Sequence, residues 1–175
     1  MMPDYTVSQV AESFLDSFVL SNVFPYILAL LTATICGAAI GIERTHRQKE
    51  AGIRTHIIVA LGSALIMIVS KYGFFDIVNM TGIEGNVNLD GARLAAQVVT
   101  GISFLGAGII VYKGTVKGLT TAASLLSVAC LGLVIGSGAY VIGIISTIII
   151  YLLLSICNAL AFFAANNFSL FAAFC

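Results

Sequence analysis

The chain has 175 residues, of which 59% are hydrophobic and 9% are charged, and its eight acids balance its eight bases. This apolar fraction exceeds the roughly 45–50% of soluble globular domains, so the sequence predicts an integral membrane protein with the lipid bilayer as its surroundings. A balanced charge offers no concentrated positive field for a phosphate backbone, which excludes nucleic acid as a partner.

Residues 1–23 precede the first long apolar run. They contain Asp4, Glu12 and Asp16 but no Lys or Arg, so they lack the basic region that begins a secretory signal peptide. Apolar residues at helical spacing within 7–18 favour a short amphipathic helix on the membrane surface. The alternative is a poorly ordered terminus, and in either case we expect an external N-terminal segment.

Apolar runs indicate about five membrane-spanning helices, because one helix needs about 20 apolar residues to cross a bilayer. The second run is short, but the aliphatic stem of Arg54 extends it, since long basic side chains reach toward the interface. The region from Gly118 to Cys175 has no Asp, Glu, Lys or Arg. As one helix it would measure about 87 Å, so it must fold back, and Gly-Ser-Gly at 136–138 is the best turn signal. The predicted spans are residues 24–42, 53–71, 94–112, 119–136 and 139–163, followed by a short tail at 164–175.

These runs predict an all-α integral membrane protein, a polytopic bundle with a single transmembrane domain over residues 24–163. Orientation follows from the loops, because cytoplasmic loops carry an excess of Lys and Arg. The 43–54 loop holds four bases and the 113–117 loop holds two, whereas the N-terminal segment has none. We therefore expect the N-terminus outside and the C-terminus in the cytoplasm.

Charge is concentrated in GIERTHRQKEAGIRTH, residues 41–56, between the first two spans. Orientation requires bases only, yet Glu43 lies beside Arg44 and four residues before Arg47, the spacing of a local ion pair on a helix. Two interpretations stay open. The stretch is either a topology signal, or a structured cluster in which Glu43, Arg44 and Arg54 join the two spans.

A stripe of polar and small residues follows the predicted third span. Arg93, Gln97 and Gly101 are spaced by four, and Gly108 comes seven residues later, which places them on one helix face. Because lipid is a poor neighbour for this face, we expect it to contact protein. Asp90 is a nearby candidate partner for Arg93.

Small and hydroxyl residues elsewhere suggest contacts between helices. Glycines allow close packing of membrane helices, and the alternative in the third span is a local break that lines a cavity. Hydroxyls can satisfy a helix start or bond across helices. The positions are Gly37, Gly41, Gly101, Gly106, Gly108, Thr120, Thr121 and Ser124.

Metal, redox and catalytic motifs are missing from the sequence. The four cysteines show no Cys-x-x-Cys spacing, and the two histidines are ten residues apart, so neither a disulfide framework nor a zinc site is indicated. We expect the cysteines to be small buried side chains and the protein not to be an enzyme, since no known catalytic fingerprint occurs.

Three segments resemble the signatures of the MgtC/SapB family of bacterial membrane proteins. GIERTHRQKEAGIRTH is similar to the first, DGARLAAQVVTGISFLGAGII at 90–110 to the second, and VKGLTTAASL at 116–125 to the third. The resemblance covers residues from about 24 to 163. Ser103 departs from it, because many members have glycine there. Many relatives also continue into a cytoplasmic C-terminal domain that looks regulatory, so this chain resembles a short, YhiD-like member or one cut short.

The resemblance implies a multi-pass protein of the bacterial inner membrane that is linked to Mg2+ homeostasis and to adaptation to low Mg2+. Two functions stay open: regulation of other membrane proteins by binding them, or transport of Mg2+ or another cation. The residues favour regulation, since Mg2+ prefers oxygen ligands such as carboxylates and no acid lies inside a predicted span. Asp90 and Glu43 are the candidate metal ligands, Mg2+ is the one candidate cofactor, and a homo-oligomer is a candidate assembly.

The residues with a proposed functional role lie in the three family motifs. They are Glu43, Arg44, Arg47, Arg54, Thr55, Asp90, Arg93, Gln97, Gly101, Gly106, Gly108, Thr120 and Thr121.

Overall fold

A computed structural model of the chain describes residues 23–72, 92–112 and 116–156. These residues form five helices and one short hairpin, so the predicted helical class is confirmed for this part of the chain. The helices are α1 (Phe24–His46), α2 (Ile53–Tyr72), α3 (Ala92–Ile109), α4 (Leu119–Gly136) and α5 (Tyr140–Ile156), and the hairpin strands are β1 (Val111–Tyr112) and β2 (Val116–Lys117).

Three of the helices, α1, α2 and α4, are long and apolar enough to cross a membrane, with 23, 20 and 18 residues. The other two helices, α3 and α5, are apolar over the shorter stretches Arg93–Ile109 and Tyr140–Ile156. Large apolar side chains cover the outside of the bundle, and Phe104 is 81% exposed. Lipid suits such a surface better than water does. Five crossings and an external N-terminus stay predictions.

Glycines bring α1 close to α2. A Cβ atom added to Gly37 would lie 2.8 Å from Cβ of Ala60, and one added to Gly41 would lie 2.6 Å from Cα of Ile53. Both distances are too short for any side chain. The packing role predicted for these two glycines is therefore confirmed.

A second glycine pair, which was not predicted from the sequence, brings α4 close to α2. A Cβ atom on Gly132 would overlap the carbonyl oxygen of Ala60, and one on Gly136 would lie 2.6 Å from that of Ala64. The signal was present as G-x-x-x-G at 132–136, a pattern that favours close approach of membrane helices.

The core lies where α1, α2 and α4 meet. It consists of two buried apolar clusters built mainly from small side chains, so the helix backbones come close together. The first cluster contains Ala29, Ala33, Cys36, Ala64 and Ile135, and the second contains Ile40, Ala60, Val128 and Leu131.

The third helix ends earlier than the predicted span at 94–112, which is corrected here. Ile109 is its last residue, and the next residues leave the helix because Val111 pairs with Lys117 and Tyr112 with Val116 in an antiparallel hairpin. Gly118 then starts α4 with a φ of 87°, and a Cβ atom there would lie 2.5 Å from the carbonyl oxygen of Ile109. Only glycine fits this return.

Polar contacts connect the helices at the end of the bundle away from the hairpin. Lys71 Nζ donates to the carbonyl oxygen of Ser137 at 2.8 Å, and the Tyr140 hydroxyl donates to that of Pro25 at 2.9 Å. The predicted turn at 136–138 lies here, with Gly138 at a φ of 95°. These bonds join α1 to α5, and α2 to the turn that follows α4.

Several predictions fall outside the described residues. They concern the N-terminal segment at 1–22, Asp90 in the loop before α3, the last part of the fifth span at 157–163 and the tail at 164–175.

Candidate functional site

The charged stretch between α1 and α2 forms a compact group of side chains with the start of α4. We call this group the loop-end cluster. Its members come from α1, the 47–52 loop, α2 and α4, and they are Glu43, Arg44, Glu50, His56, Thr121 and Ser124.

An ion pair at the end of α1 begins the cluster. Arg44 is 1% exposed and Glu43 is 6% exposed. The Nε atom of Arg44 lies 3.5 Å from one carboxylate oxygen of Glu43, and Nε of Arg47 lies 3.6 Å from the other. The predicted pairing of Glu43 with a base four residues later is therefore present. Because a buried charge is costly without a partner, these contacts stabilise the buried guanidinium.

The chain leaves α1 through a Schellman motif, which folds the loop back on the helix end. The Lys49 N–H donates to the Arg44 carbonyl at 3.1 Å, and the Gln48 N–H donates to that of Thr45 at 3.0 Å. Gln48 has a φ of 51°, where glycine usually occurs. Since glutamine gives no sequence signal for a left-handed residue, this turn could not be predicted.

Thr45 then caps the next helix from outside it. Its Oγ1 accepts the Ile53 N–H at 2.8 Å and donates to the Gly41 carbonyl at 3.0 Å. The first residue of α2 is thus bound to the last turns of α1. A cap usually lies next to its helix, whereas Thr45 is eight residues away, so spacing rules did not reveal it.

Glu50 connects the loop to α4. The Thr121 hydroxyl donates to its carboxylate at 2.6 Å. The pKa of Glu50 is lowered, mainly by this hydrogen bond, then by its own backbone N–H and by the charges of Lys49 and Lys117. The carboxylate therefore stays ionised at neutral pH, although the residue itself is exposed.

His56 and Ser124 form the buried interior of the cluster. His56 is fully buried, and its Nδ1 lies 2.8 Å from the Gly52 carbonyl, which can only accept a hydrogen bond. Nδ1 is therefore the donor. Nε2 lies 3.2 Å from the hydroxyl of Ser124, which in turn donates to the Thr121 carbonyl at 2.8 Å. This connection between α2 and α4 was not predicted for His56.

The remaining motif residues near the loop are on the surface. Arg54 and Thr55 are exposed in the first turn of α2, and Thr120 is exposed at the start of α4. Of the predicted cluster of Glu43, Arg44 and Arg54, the first two are therefore buried and the third is not. Thr121 is buried, and its hydroxyl bonds the loop residue Glu50 and not another helix.

Most of the polar stripe on α3 faces away from the described part of the chain, so its expected contact with protein stays a prediction. Arg93 and Gln97 are exposed, and within the described residues a Cβ atom on Gly101 or Gly108 would meet nothing within 4 Å. Gly106 is the packed glycine, with Cβ of Ala122 at 3.3 Å. Val98 and Gly106 face inward. Because successive side chains on a helix point about 100° apart, the stripe then points outward.

Two cysteines lie in the described residues, and both are free thiols. Cys36 is buried, as expected, but Cys130 is exposed on the outer side of α4. Burial was therefore wrong for Cys130, because its position in an apolar run does not tell a packed face from an outer one.

Metal ligands are not grouped in the described residues, where no three or more His, Cys, Asp or Glu side chains could hold an ion. Glu43, one candidate Mg2+ ligand, has a guanidinium nitrogen near each oxygen. This arrangement suits an internal ion pair and does not fit a bound divalent cation.

Comparisons with known proteins agree with the sequence motifs. The MgtC family matches residues 30–163. Over 143 residues the chain is 47% identical to "Putative magnesium transporter YhiD" of Escherichia coli K12, which covers 81% of this chain and 65% of YhiD. Over 128 residues it is 44% identical to "Protein MgtC" of Salmonella typhimurium LT2, which covers 73% of this chain and 50% of MgtC. No solved structure matches significantly. The match to the family over most of the chain, together with these two relatives, shows that the protein belongs to the MgtC family.

Proposed function

We propose that the protein serves Mg2+ homeostasis in the bacterial inner membrane by binding and regulating other membrane proteins, without catalysing a reaction. Family membership supports the link to Mg2+, because a relative with 47% identity is named for magnesium. The apolar outer surface and the three long helices support a position in the bilayer.

The outer face of α3 is the observation that carries the regulatory role. We call it the α3 face and define it by Arg93, Gln97, Gly101, Phe104 and Gly108, all exposed within the described part of the chain. An amide side chain such as that of Gln97 is unfavourable in hydrocarbon unless it finds a hydrogen-bond partner. A Cβ atom on Gly101 or Gly108 would meet no described residue within 4 Å, and such space admits a closely packed helix. A transmembrane helix of another protein satisfies both features.

The ion pairs at the loop end favour regulation over transport. A cation passing this end of the bundle needs oxygen ligands to replace part of its water shell. The carboxylate of Glu43 is already matched by Arg44 and Arg47, and that of Glu50 accepts a hydrogen bond from Thr121.

Transport of Mg2+ is the second candidate, and the naming of the relative YhiD as a magnesium transporter favours it. In that case the α3 face would line a passage between copies of the chain, with its glycine carbonyls and Gln97 beside the hydrated ion.

Bulky substitutions on the α3 face test the proposal in cells. Gly101→Leu and Gln97→Leu should each abolish growth support in low Mg2+ at unchanged expression, because they remove the space and the polar group that a partner helix uses. Ala96→Leu is the matched control, since Ala96 is also exposed but points about 100° away from the centre of the face. If both face variants support growth as well as the parent, the α3 face is not the partner surface.

A further inference from the structure

The geometry points to a binding site for a phosphate-type anion at the loop end of the bundle, which the chain's own Glu50 occupies. We call it the anion site. The hydroxyl of Thr121, in the first turn of α4, contacts the Glu50 carboxylate there at 2.6 Å, and the basic side chains of Arg44, Lys49 and Lys117 belong to the same end of the bundle.

The surroundings of Glu50 are those of a bound anion. Its carboxylate accepts the Thr121 hydroxyl at 2.6 Å, and it lies within electrostatic reach of Arg44, Lys49 and Lys117. Cations and hydroxyl donors grouped at a helix start are a recurrent way to bind phosphate or carboxylate. Here the carboxylate belongs to an exposed loop residue, so another anion can replace it without unfolding a helix.

The start of α4 adds donors to the site. The first backbone bond of the helix goes from the Ala122 N–H to the Gly118 carbonyl at 2.9 Å, so the N–H groups before Ala122 have no partner within the helix. Gly118 supplies no side-chain cap. A helix start of this kind carries partial positive charge and favours an anion.

The buried guanidinium of Arg44 gives independent support for a ligand at this site. Its side chain is 99% buried, given 1% exposure, and Nη2 makes no hydrogen bond within the described residues. Buried donors in native proteins nearly always have an acceptor. A phosphate has more oxygens than a carboxylate and is free of the loop, so it offers an acceptor to Thr121 and a counter-charge to Arg44.

When the Glu50 carboxylate moves away, the net charge of the side chains around the site becomes more positive, which favours an anion. Glu43 is then the acidic residue that remains beside the site among the described residues, and it is already paired with two arginines. The arginines and lysines described at this end are Arg44, Arg47, Lys49, Arg54 and Lys117. Two sources offer the same chemistry at the end of a membrane helix bundle: an anionic lipid headgroup, or phosphate in solution.

Calorimetric titration of the purified full chain in neutral detergent with inorganic phosphate tests the site. Glu50→Gln keeps the size of the side chain but removes its charge, so it should tighten phosphate binding by roughly tenfold, because the competing anion is gone. Adding Thr121→Val, which keeps the shape and removes the hydroxyl, should reverse most of that gain. Arg54→Gln removes an exposed base outside the site and should change affinity less than twofold.

Reconstituted chains distinguish the two sources. In vesicles of phosphatidylglycerol, Glu50→Gln should retain more lipid through purification than the parent if a headgroup is the ligand, as measured by native mass spectrometry. Phosphate binding in phosphatidylcholine vesicles would identify the soluble anion. The anion site would be overturned if the parent, Glu50→Gln and the double variant bound phosphate equally and also bound phosphatidylglycerol equally. It would also be overturned if Arg54→Gln lost as much phosphate affinity as Thr121→Val does. This result is independent of growth tests on the α3 face.

Discussion

A buried guanidinium needs a negative group close by, and Arg44 has one in the residue before it. Glu43 lies between two arginines, with 3.5 Å to the Nε atom of Arg44 and 3.6 Å to that of Arg47. Helix geometry explains the contact with Arg47, because a side chain four residues away lies on the same face, but it does not explain the contact with the adjacent Arg44. The role of Glu43 is therefore to hold Arg44 in place beneath the loop.

Glu43→Gln should lower the free energy of unfolding by about 3 kcal/mol, because it leaves the buried charge of Arg44 without its counter-ion. Thermal unfolding in detergent measures the loss. Arg54→Gln, a change of charge on an exposed side chain in the same stretch, should stay within about 0.5 kcal/mol of the parent. Equal unfolding temperatures for all three proteins would show that the ion pair has no structural role.

Local spacing predicted one contact at this scale and missed the others for a physical reason. The pair of Glu43 and Arg47 is a helix neighbour and was visible as i, i+4. The contacts of His56 with Ser124 and of Glu50 with Thr121 join residues 68 and 71 positions apart. Only the packing of α2 and α4 brings them together, and no single-sequence pattern encodes that distance.

Glycines on α4 and α3 have opposite surroundings, since one is packed against a neighbouring helix and the other is exposed. On α4, Gly132 lies against the backbone of α2, whereas on α3 a Cβ atom on Gly101 would meet no described residue within 4 Å. The sequence showed both as glycines in apolar runs, so it predicted packing for Gly101. The inward face of α3 carries Val98 and Gly106, which lie about 100° and about 180° from the centre of the stripe on the helical wheel.

The pair Gly132→Leu and Gly101→Leu tests this difference with one type of substitution. Gly132→Leu should lower stability by at least about 1–3 kcal/mol, because the new side chain overlaps the Ala60 carbonyl and forces α2 and α4 apart. Gly101→Leu should leave the unfolding temperature in dilute detergent unchanged. A comparable loss for both would mean that the α3 face is packed within the single chain.

Apolar run length predicted the helices well and their ends less well. The predicted start of α2 at residue 53 and the end of α4 at 136 agree with the structure. The end of α3 was placed too late because Ile110, Val111 and Tyr112 continue the apolar run, while the hairpin with β2 withdraws them from the helix. Hydropathy cannot show where strand pairing begins.

At the scale of the whole molecule, three closely packed helices, α1, α2 and α4, form the core. Different polar contacts hold its two ends, and the α3 face lies on its outer side. The loop-end cluster occupies one end, where Glu50 and His56 tie the loop and α2 to α4. The opposite end is held by Lys71 and Tyr140. The α3 face is directed away from the packed core, which suits contact with another helix. Family membership followed from motifs in the sequence, whereas the arrangement of these surfaces required the structure.

Regulation without transport is the central claim, and a flux measurement tests it most directly. The purified chain is reconstituted in liposomes that contain a Mg2+-sensitive dye, and Mg2+ is added outside. The account predicts a fluorescence change equal to that of protein-free liposomes, for the parent and for Gln97→Leu alike. A saturable, protein-dependent influx of Mg2+ that Gln97→Leu diminishes would contradict it and make the α3 face part of a transport path.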